Sequence, residues 1–269
     1  MVTARIRVGP AGGWAMPSEK VRQWLQKTGF PLEMAAASAF RNAGFDVRQS
    51  FTYPDPQSEK GREIDVLARD PDWVGVIEVS FVLECKASPN PWVVLASDDA
   101  FSGYNRLFAF AVTSEAARRA LSERMPDRLG KLLPYIERPA RGGYGFRQTF
   151  GTKEGDAAYA AAIAALKACK GVVQDRLAPS VQRLAFAFPV IVVDSPLFEC
   201  SLAEDGSLEL NEAEQSPFLF SAHIPEEVGC CVTVVTRQSL NEFAQWAKQL
   251  ANAIRDELRN EEEKFLSAV

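Results

Sequence analysis

The stretch Phe81-Val82-Leu83-Glu84-Cys85-Lys86-Ala87-Ser88, FVLECKAS, starts as a buried strand and then sets Glu84 and Lys86 on the same side of it. Alternate residues of a strand share a face. Over VIEVSFVLECK, Ile77, Val79, Phe81, Leu83 and Cys85 form an apolar face. Glu78, Ser80, Val82, Glu84 and Lys86 form the other. Upstream, REIDVLARD reads as a partner strand, with Ile64, Val66 and Ala68 on the apolar side and Glu63, Asp65, Leu67 and Arg69 opposite. The turn residues PDWVG between the two make them a hairpin. A turn centred on Trp73–Val76 sets Asp65 opposite Glu84 and Glu63 opposite Lys86.

Opposed Cβ atoms in a hairpin stand ~4.5–5.5 Å apart. Two carboxylates that close repel unless a cation sits between them. Mg²⁺ takes oxygen ligands, keeps several waters and needs one or two protein carboxylates. Asp65 and Glu84 are therefore the expected metal ligands, with the backbone carbonyl of Cys85 as a third oxygen and Mn²⁺ as a substitute ion. Lys86 then stands beside the ion, placed to polarise a water or stabilise an oxyanion. Glu63 is either an accessory ligand or a cross-strand partner of Lys86.

Working outward, Ser18 caps EKVRQWLQK, Gly29 ends that helix, and PLEMAAASAFRNA forms a second one that stops at Gly44. DVRQSFTY follows as a strand. Residues 88–153 show a short helix around SEAARRALSERM and a Gly-rich loop at RGGYGF. An Ala-rich helix runs from Asp156 to about Leu177, and LAFAFPVIVV is a buried strand. PLFECSL and SLELNE form a hairpin, CCVTVVT is a further strand, and the Ser239/Glu242 capping box opens the last helix. RNEEEKFLSAV reads as a solvated charged tail. The expected fold class is α/β, a mixed sheet flanked by helices. It forms one unit over residues 1–269, with a motif-bearing core at about 28–90, a basic insertion at about 101–153 and C-terminal strands and helix at about 184–269.

At these residues the chain resembles the PD-(D/E)XK nuclease superfamily, whose fold is called restriction-endonuclease-like. The two-part motif falls on Asp65 in EIDVLA and on Glu84 with Lys86 in ECK, and the acid of the first core helix falls on Glu33 in FPLEMAAASAF. Ile64 stands where the name-giving proline would be, and 18 residues separate Asp65 from Glu84. The order of helix, three strands, helix and strand resembles the family core. The resemblance implies an α/β restriction-endonuclease-like core with insertions. It implies Mg²⁺-dependent hydrolysis of DNA phosphodiesters, endonucleolytic and in a prokaryotic defence or repair setting, leaving 5′-phosphate and 3′-hydroxyl ends. Asp65 and Glu84 hold the ion, Lys86 orients or activates the water, and Glu33 assists through a water on the ion or through a second ion. A second E-x-K, Glu262 and Lys264 with Asp256 upstream, lies in the charged tail and is set aside.

The remaining features leave choices open. Net charge is −5, but residues 101–183 carry 14 basic and 7 acidic side chains, whereas residues 184–269 carry 5 and 15. The basic third points to phosphate contact or to a solvated surface of uneven composition. Arg138, Arg141, Arg147 and Lys153, with Tyr144 and Phe146 among them, form a candidate nucleic-acid grip, a flexible surface loop being the plain alternative. In ASPNPW, Ala87 to Trp92, the resemblance implies that Ser88 or Trp92 lines the site, while Pro89 and Pro91 are equally explained as a strand terminator. The Ala-rich helix either packs on the sheet or makes a homodimer. His223, the single histidine, reads as a loop residue, which counts against His-dependent nuclease, phosphatase and zinc sites. Five cysteines in no metal or disulfide spacing, with no signal sequence or membrane span, give a cytoplasmic protein as the expectation. Two rivals stand beside the DNase reading. One is a nuclease-fold module that binds nucleic acid or a protein without cutting, and the other is an RNase.

Overall fold

The computed structural model describes residues 15–55, 57, 60–72, 74–104, 109–122, 130–137, 141–151, 156–174, 183–224 and 226–267. Helices α1 (Ala15–Leu25) and α2 (Phe30–Asn42) come first. Gly29 is the N-cap of α2 and Pro31 lies in its first turn, where a missing N–H costs nothing. Strands β1 (Asp46–Pro54), β2 (Gly61–Arg69) and β3 (Ile77–Lys86) follow as an antiparallel meander. Next come β4 (Trp92–Ser97), β5 (Val112–Thr113), α3 (Glu115–Ser122), α4 (Leu133–Ile136) and β6 (Gly142–Gln148). Helix α5 (Ala157–Val173) leads into β7 (Leu184–Val193), then β8 (Leu197–Leu202), β9 (Leu208–Ala213), β10 (Gln215–Ile224), β11 (Glu226–Thr236) and α6 (Leu240–Ser267).

The strands make one mixed sheet in the order β1-β2-β3-β7-β11-β10-β6-β4-β8-β9, with β5 beside β7. Strands β3, β7 and β11 run parallel at its centre. The period-2 pattern of β3 decides what covers each face. Ile77, Val79, Phe81, Leu83 and Cys85 join Phe186, Phe188, Val190 and Val192 of β7 in a core closed by α2, α3 and α6. Phe40, Phe45, Phe81 and Phe243 interlock there with ring centroids 5.2–6.4 Å apart. On the opposite face the small side chains of α5 let it lie close on the sheet. Its first half covers β4, β6 and β10, and its second half packs on Tyr53, Ile64, Leu67 and Val82. A side chain at Gly171 would strike the Tyr53 ring, so this contact requires glycine. Packing on the sheet is thus what buries the Ala-rich helix. Lysines of α5 tie down two hairpin tips, Lys167 pairing with Asp55 and Lys170 donating to the Ile224 carbonyl.

The α/β class and the mixed sheet between helices are as expected, but several elements differ from the sequence reading. RGGYGF is not a loop: Gly142–Gln148 is a strand inside the sheet. Its glycines reflect close packing, since a methyl at Gly143 would stand 2.6 Å from Phe218 Cβ and 2.8 Å from the Pro217 carbonyl. Strand β10 carries His223 near its end, so this residue is not in a loop. The tail from Arg259 to Ser267 continues α6 as helix, with Lys264 paired to Glu261. Trp92 is core, 1% exposed and stacked on Phe146 at 5.0 Å. Among the described residues, no helix is long and apolar enough to cross a membrane.

Candidate active site at the β2–β3 opening

Pairing of β2 with β3 runs from Arg69↔Ser80 to Val66↔Leu83. The next pair in that register is Asp65 with Glu84, and there the strands part. The break has a local cause in β1. Its ladder with β2 skips Ser50 and Asp65, and Ser50 has a φ of 53°, a left-handed conformation uncommon outside glycine. This step shifts the alternation of β2. Ile64 therefore joins Leu67 on the α5 face instead of Val66 and Ala68, where strict alternation puts it.

Asp65 is thereby aimed across the opening, and its Oδ2 accepts the Cys85 N–H at 2.7 Å. Within an extended strand a residue's N–H and C=O point the same way. The Val79 carbonyl accepts the Asp70 N–H, so odd-numbered residues of β3 turn their backbone groups toward β2. The Cys85 carbonyl therefore points into the opening beside Asp65. Glu84 and Lys86 lie on the α5 face, with Lys86 Nζ donating to Glu84 Oε1 at 2.6 Å. Their side chains are 15% and 31% exposed. Glu33, in the first turn of α2, faces the same group from the other layer. Its carboxyl is raised by burial first and then by the charges of Asp65, Glu63 and Glu84.

The electrostatics follow from this crowding. Burial pushes the Asp65 carboxyl up, against the lowering effect of the Cys85 N–H and of Lys86. Burial and then the Asp65 charge push Glu84 up. Burial disfavours the Lys86 ammonium, but the charge and hydrogen bond of Glu84 outweigh it and hold the lysine above its ordinary range. The Cys85 thiol is driven well up, chiefly by burial, and stays neutral. Three acids and one lysine thus leave an excess of negative charge that a cation would relieve.

The donors suit a hard cation: two carboxylates and a main-chain carbonyl, all oxygen. Asp65 Oδ1 has no hydrogen-bond partner among the described residues, which leaves it available as a ligand. No group of three or more His, Cys, Asp or Glu side chains among the described residues is placed to hold a metal. The donor set fits Mg²⁺ or Mn²⁺ on the count of two carboxylates, and does not fit a closed structural zinc site.

This crowding predicts a stability effect. The Asp65 carboxyl sits above its ordinary 3.8, so its ionised form weakens the fold at pH values above the folded pKa, and that cost disappears as pH falls through it. Asp65→Asn keeps an acceptor for the Cys85 N–H and removes the charge. We expect the variant to melt a few degrees above the wild type at pH 7 without metal, with the gap closing toward pH 4. Thermal melts at the two pH values check this, and a variant less stable at pH 7 contradicts it.

The structure brings Asp65, Glu84, Lys86, Cys85 and Glu33 together, with Glu63 and Ser88 close by, and sets Trp92 in the core. Arg141 and Arg147 lie at opposite ends of the β6 region; Arg147 adjoins Gln148, which reaches the loop after Lys86, whereas Arg141 lies at the far end of the strand. Acids already answer both charges: Arg141 meets Asp98 at 3.0 Å and Glu209 at 3.6 Å, and Arg147 meets Asp156 at 3.6 Å. Arg138 and Lys153 lie outside the described residues. Ser88 is close to the site, its N–H donating to Asp194 at the end of β7 and its hydroxyl accepting from Gln148. Asp194 went unnoticed in the sequence. Its signal was position, an acid directly after a buried strand whose carboxyl end faces the site. Tyr53, whose buried phenol is pushed up by burial, Asp55 and more weakly Glu84, was missed as well. Comparison of the chain with protein-family models, with curated proteins and with solved structures finds no match.

Proposed function

We propose that this protein is a metal-dependent phosphodiesterase acting on nucleic acid, DNA in preference to RNA, with its active site at the β2–β3 opening. The observation that carries the reading is the reach of Asp65 across the opening to the Cys85 N–H, which sets its carboxylate beside Glu84 and Lys86. The order α2-β1-β2-β3-α5-β7, with β3 and β7 parallel, supports the restriction-endonuclease-like form of the core.

Asp65, Glu84 and the Cys85 carbonyl would hold Mg²⁺, with Mn²⁺ as its substitute. When bound, the ion lowers the pKa of water and neutralises phosphate charge. Lys86, kept charged by Glu84, donates to the attacking water or to the phosphoryl oxygens as negative charge develops there. Glu33 accepts a hydrogen bond from water at the mouth of the opening. Attack at phosphorus breaks the bond to the 3′-oxygen, which takes a proton. The products are a 5′-phosphate and a 3′-hydroxyl.

The test incubates the full chain with plasmid, linear and branched DNA, and with RNA, in Mg²⁺ or EDTA. Cleavage is expected in Mg²⁺ alone, and Glu84→Ala should reduce it at least a hundredfold. Cleavage that persists in EDTA or in Glu84→Ala rejects the site, and RNA as the sole substrate changes the target class.

A further inference from the structure

A cleft of about 340 Å³ opens at the carboxyl ends of β7 and β11. The ladders set Lys86, Val193 and Thr236 in one row across β3, β7 and β11. Two strand spacings put Thr236 about 10 Å from Lys86 along the sheet. The two chain connections diverge here. From β7 the chain passes through Asp194, Ser195 and Pro196 straight into β8, whereas from β11 it turns through Arg237 onto α6, on the face opposite α5. In open α/β sheets ligands enter the crevice that such a divergence leaves outside the strand ends. The cleft volume falls within the range of small-ligand sites.

Its walls say what kind of ligand. Asp194, Glu212, Glu214, Thr236, Arg237 and Gln238 supply its polar lining. Asp194 Oδ1 already accepts the Ser88 N–H, which ties the cleft to the loop that follows Lys86. Among the described residues, the side chains of Glu212, Glu214, Arg237 and Gln238 make no ion pair or hydrogen bond. The lining is thus rich in acceptors and holds one fork of donors. A carboxylate takes two parallel N–H donors, and an arginine gives two. Guanine alone among the bases puts two N–H donors side by side on its Watson–Crick edge, and its O6 and N7 are the pair that arginine recognises.

We propose that this cleft takes the guanine of a nucleotide flanking the bond held at Lys86, with the carboxylates of Glu212 and Glu214 on its N–H edge and Arg237 on its O6. The flanking position rests on the phosphodiesterase reading, while the pocket itself does not. Calorimetric titration of the full chain in EDTA with guanosine, adenosine, cytidine and uridine 5′-monophosphates separates the two. Guanosine monophosphate should bind at least tenfold tighter than the other three. The double substitution Glu212→Gln/Glu214→Gln should remove that preference, and Arg237→Ala should weaken guanosine monophosphate about tenfold. All three positions are exposed, so the fold is retained. Equal affinities, no binding, or a preference unmoved by the double substitution overturns the assignment. Guanine binding without any cleavage of nucleic acid leaves the pocket standing and removes only the hydrolytic reading. Cleavage without guanine binding does the reverse.

Discussion

Lys86→Met is expected to lower phosphodiester cleavage about a thousandfold while leaving Mn²⁺ affinity intact or stronger. Lys86 Nζ lies 2.6 Å from Glu84 Oε1 and, among the described residues, is the basic group that acts on both Glu84 and Asp65. Methionine keeps the unbranched, partly buried stem and deletes the charge. Removing a donor aimed at developing negative charge costs on the order of 10²–10³ in rate, and loss of a positioned proton-handling group costs about 10²–10⁴. Ion affinity moves the other way, because Glu84 loses the cation that competes for its carboxylate. Lys86→Arg should restore little, since a planar fork cannot replace a compact ammonium in a site already filled by Glu84 and Asp65. Single-turnover rates with saturating Mg²⁺, set beside Mn²⁺ calorimetry, check both halves. A rate within tenfold of the wild type contradicts the role given to Lys86.

Asp70→Ala should destabilise the fold by about 3 kcal/mol, the lower end of what breaking a buried ion pair costs. Asp70 follows β2 directly and its side chain is 2% exposed. Lys248 and Arg255 of α6 both close on its carboxylate, and Arg255 also donates to its backbone carbonyl and meets Asp72 at 3.4 Å. Asp72 in turn accepts the N–H groups of Val74 and Ile77 at the hairpin turn. This network fixes α6 on the hairpin that carries Asp65, Glu84 and Lys86. The two cations are 28% and 21% exposed and can rehydrate once released, which is why the lower figure applies. For a chain of this size the loss corresponds to a melting temperature lower by about 6–12 °C. A denaturation midpoint that moves by less than 1 kcal/mol in equivalent stability, estimated from about the wild-type denaturant slope, contradicts the clamp.

The hairpin was legible because strand periodicity is local. Alternation over Ile77–Lys86 fixes one face, and the turn residues fix the register, so that Asp65 falls opposite Glu84 one step beyond the last pair of the observed ladder. What alternation could not supply is the interruption at Ser50. Nothing in the sequence marks a serine for a positive φ, yet this step aims Asp65 at Cys85. The glycines of β6 misled for a related reason. Gly-rich stretches signal loops when read locally, but here they permit contact with Phe101, Val94 and Phe218, residues distant in sequence. Strand β10 was hidden because Pro217 and its polar residues break the apolar run, while pairing with β11 over its whole length holds it in the sheet. Charge and the aromatic residues among them group Arg141 and Arg147 as a nucleic-acid grip; what sequence could not show is that Asp98, Glu209 and Asp156 already answer both charges.

The proposed hydrolysis requires an ion at the β2–β3 opening. A crystal of the full chain soaked in Mn²⁺ should give an anomalous peak enclosed by Asp65, Glu84 and the Cys85 carbonyl, with the Lys86 ammonium beside it. No peak there, or an ion bound elsewhere with Glu84 still closed on Lys86, would contradict it.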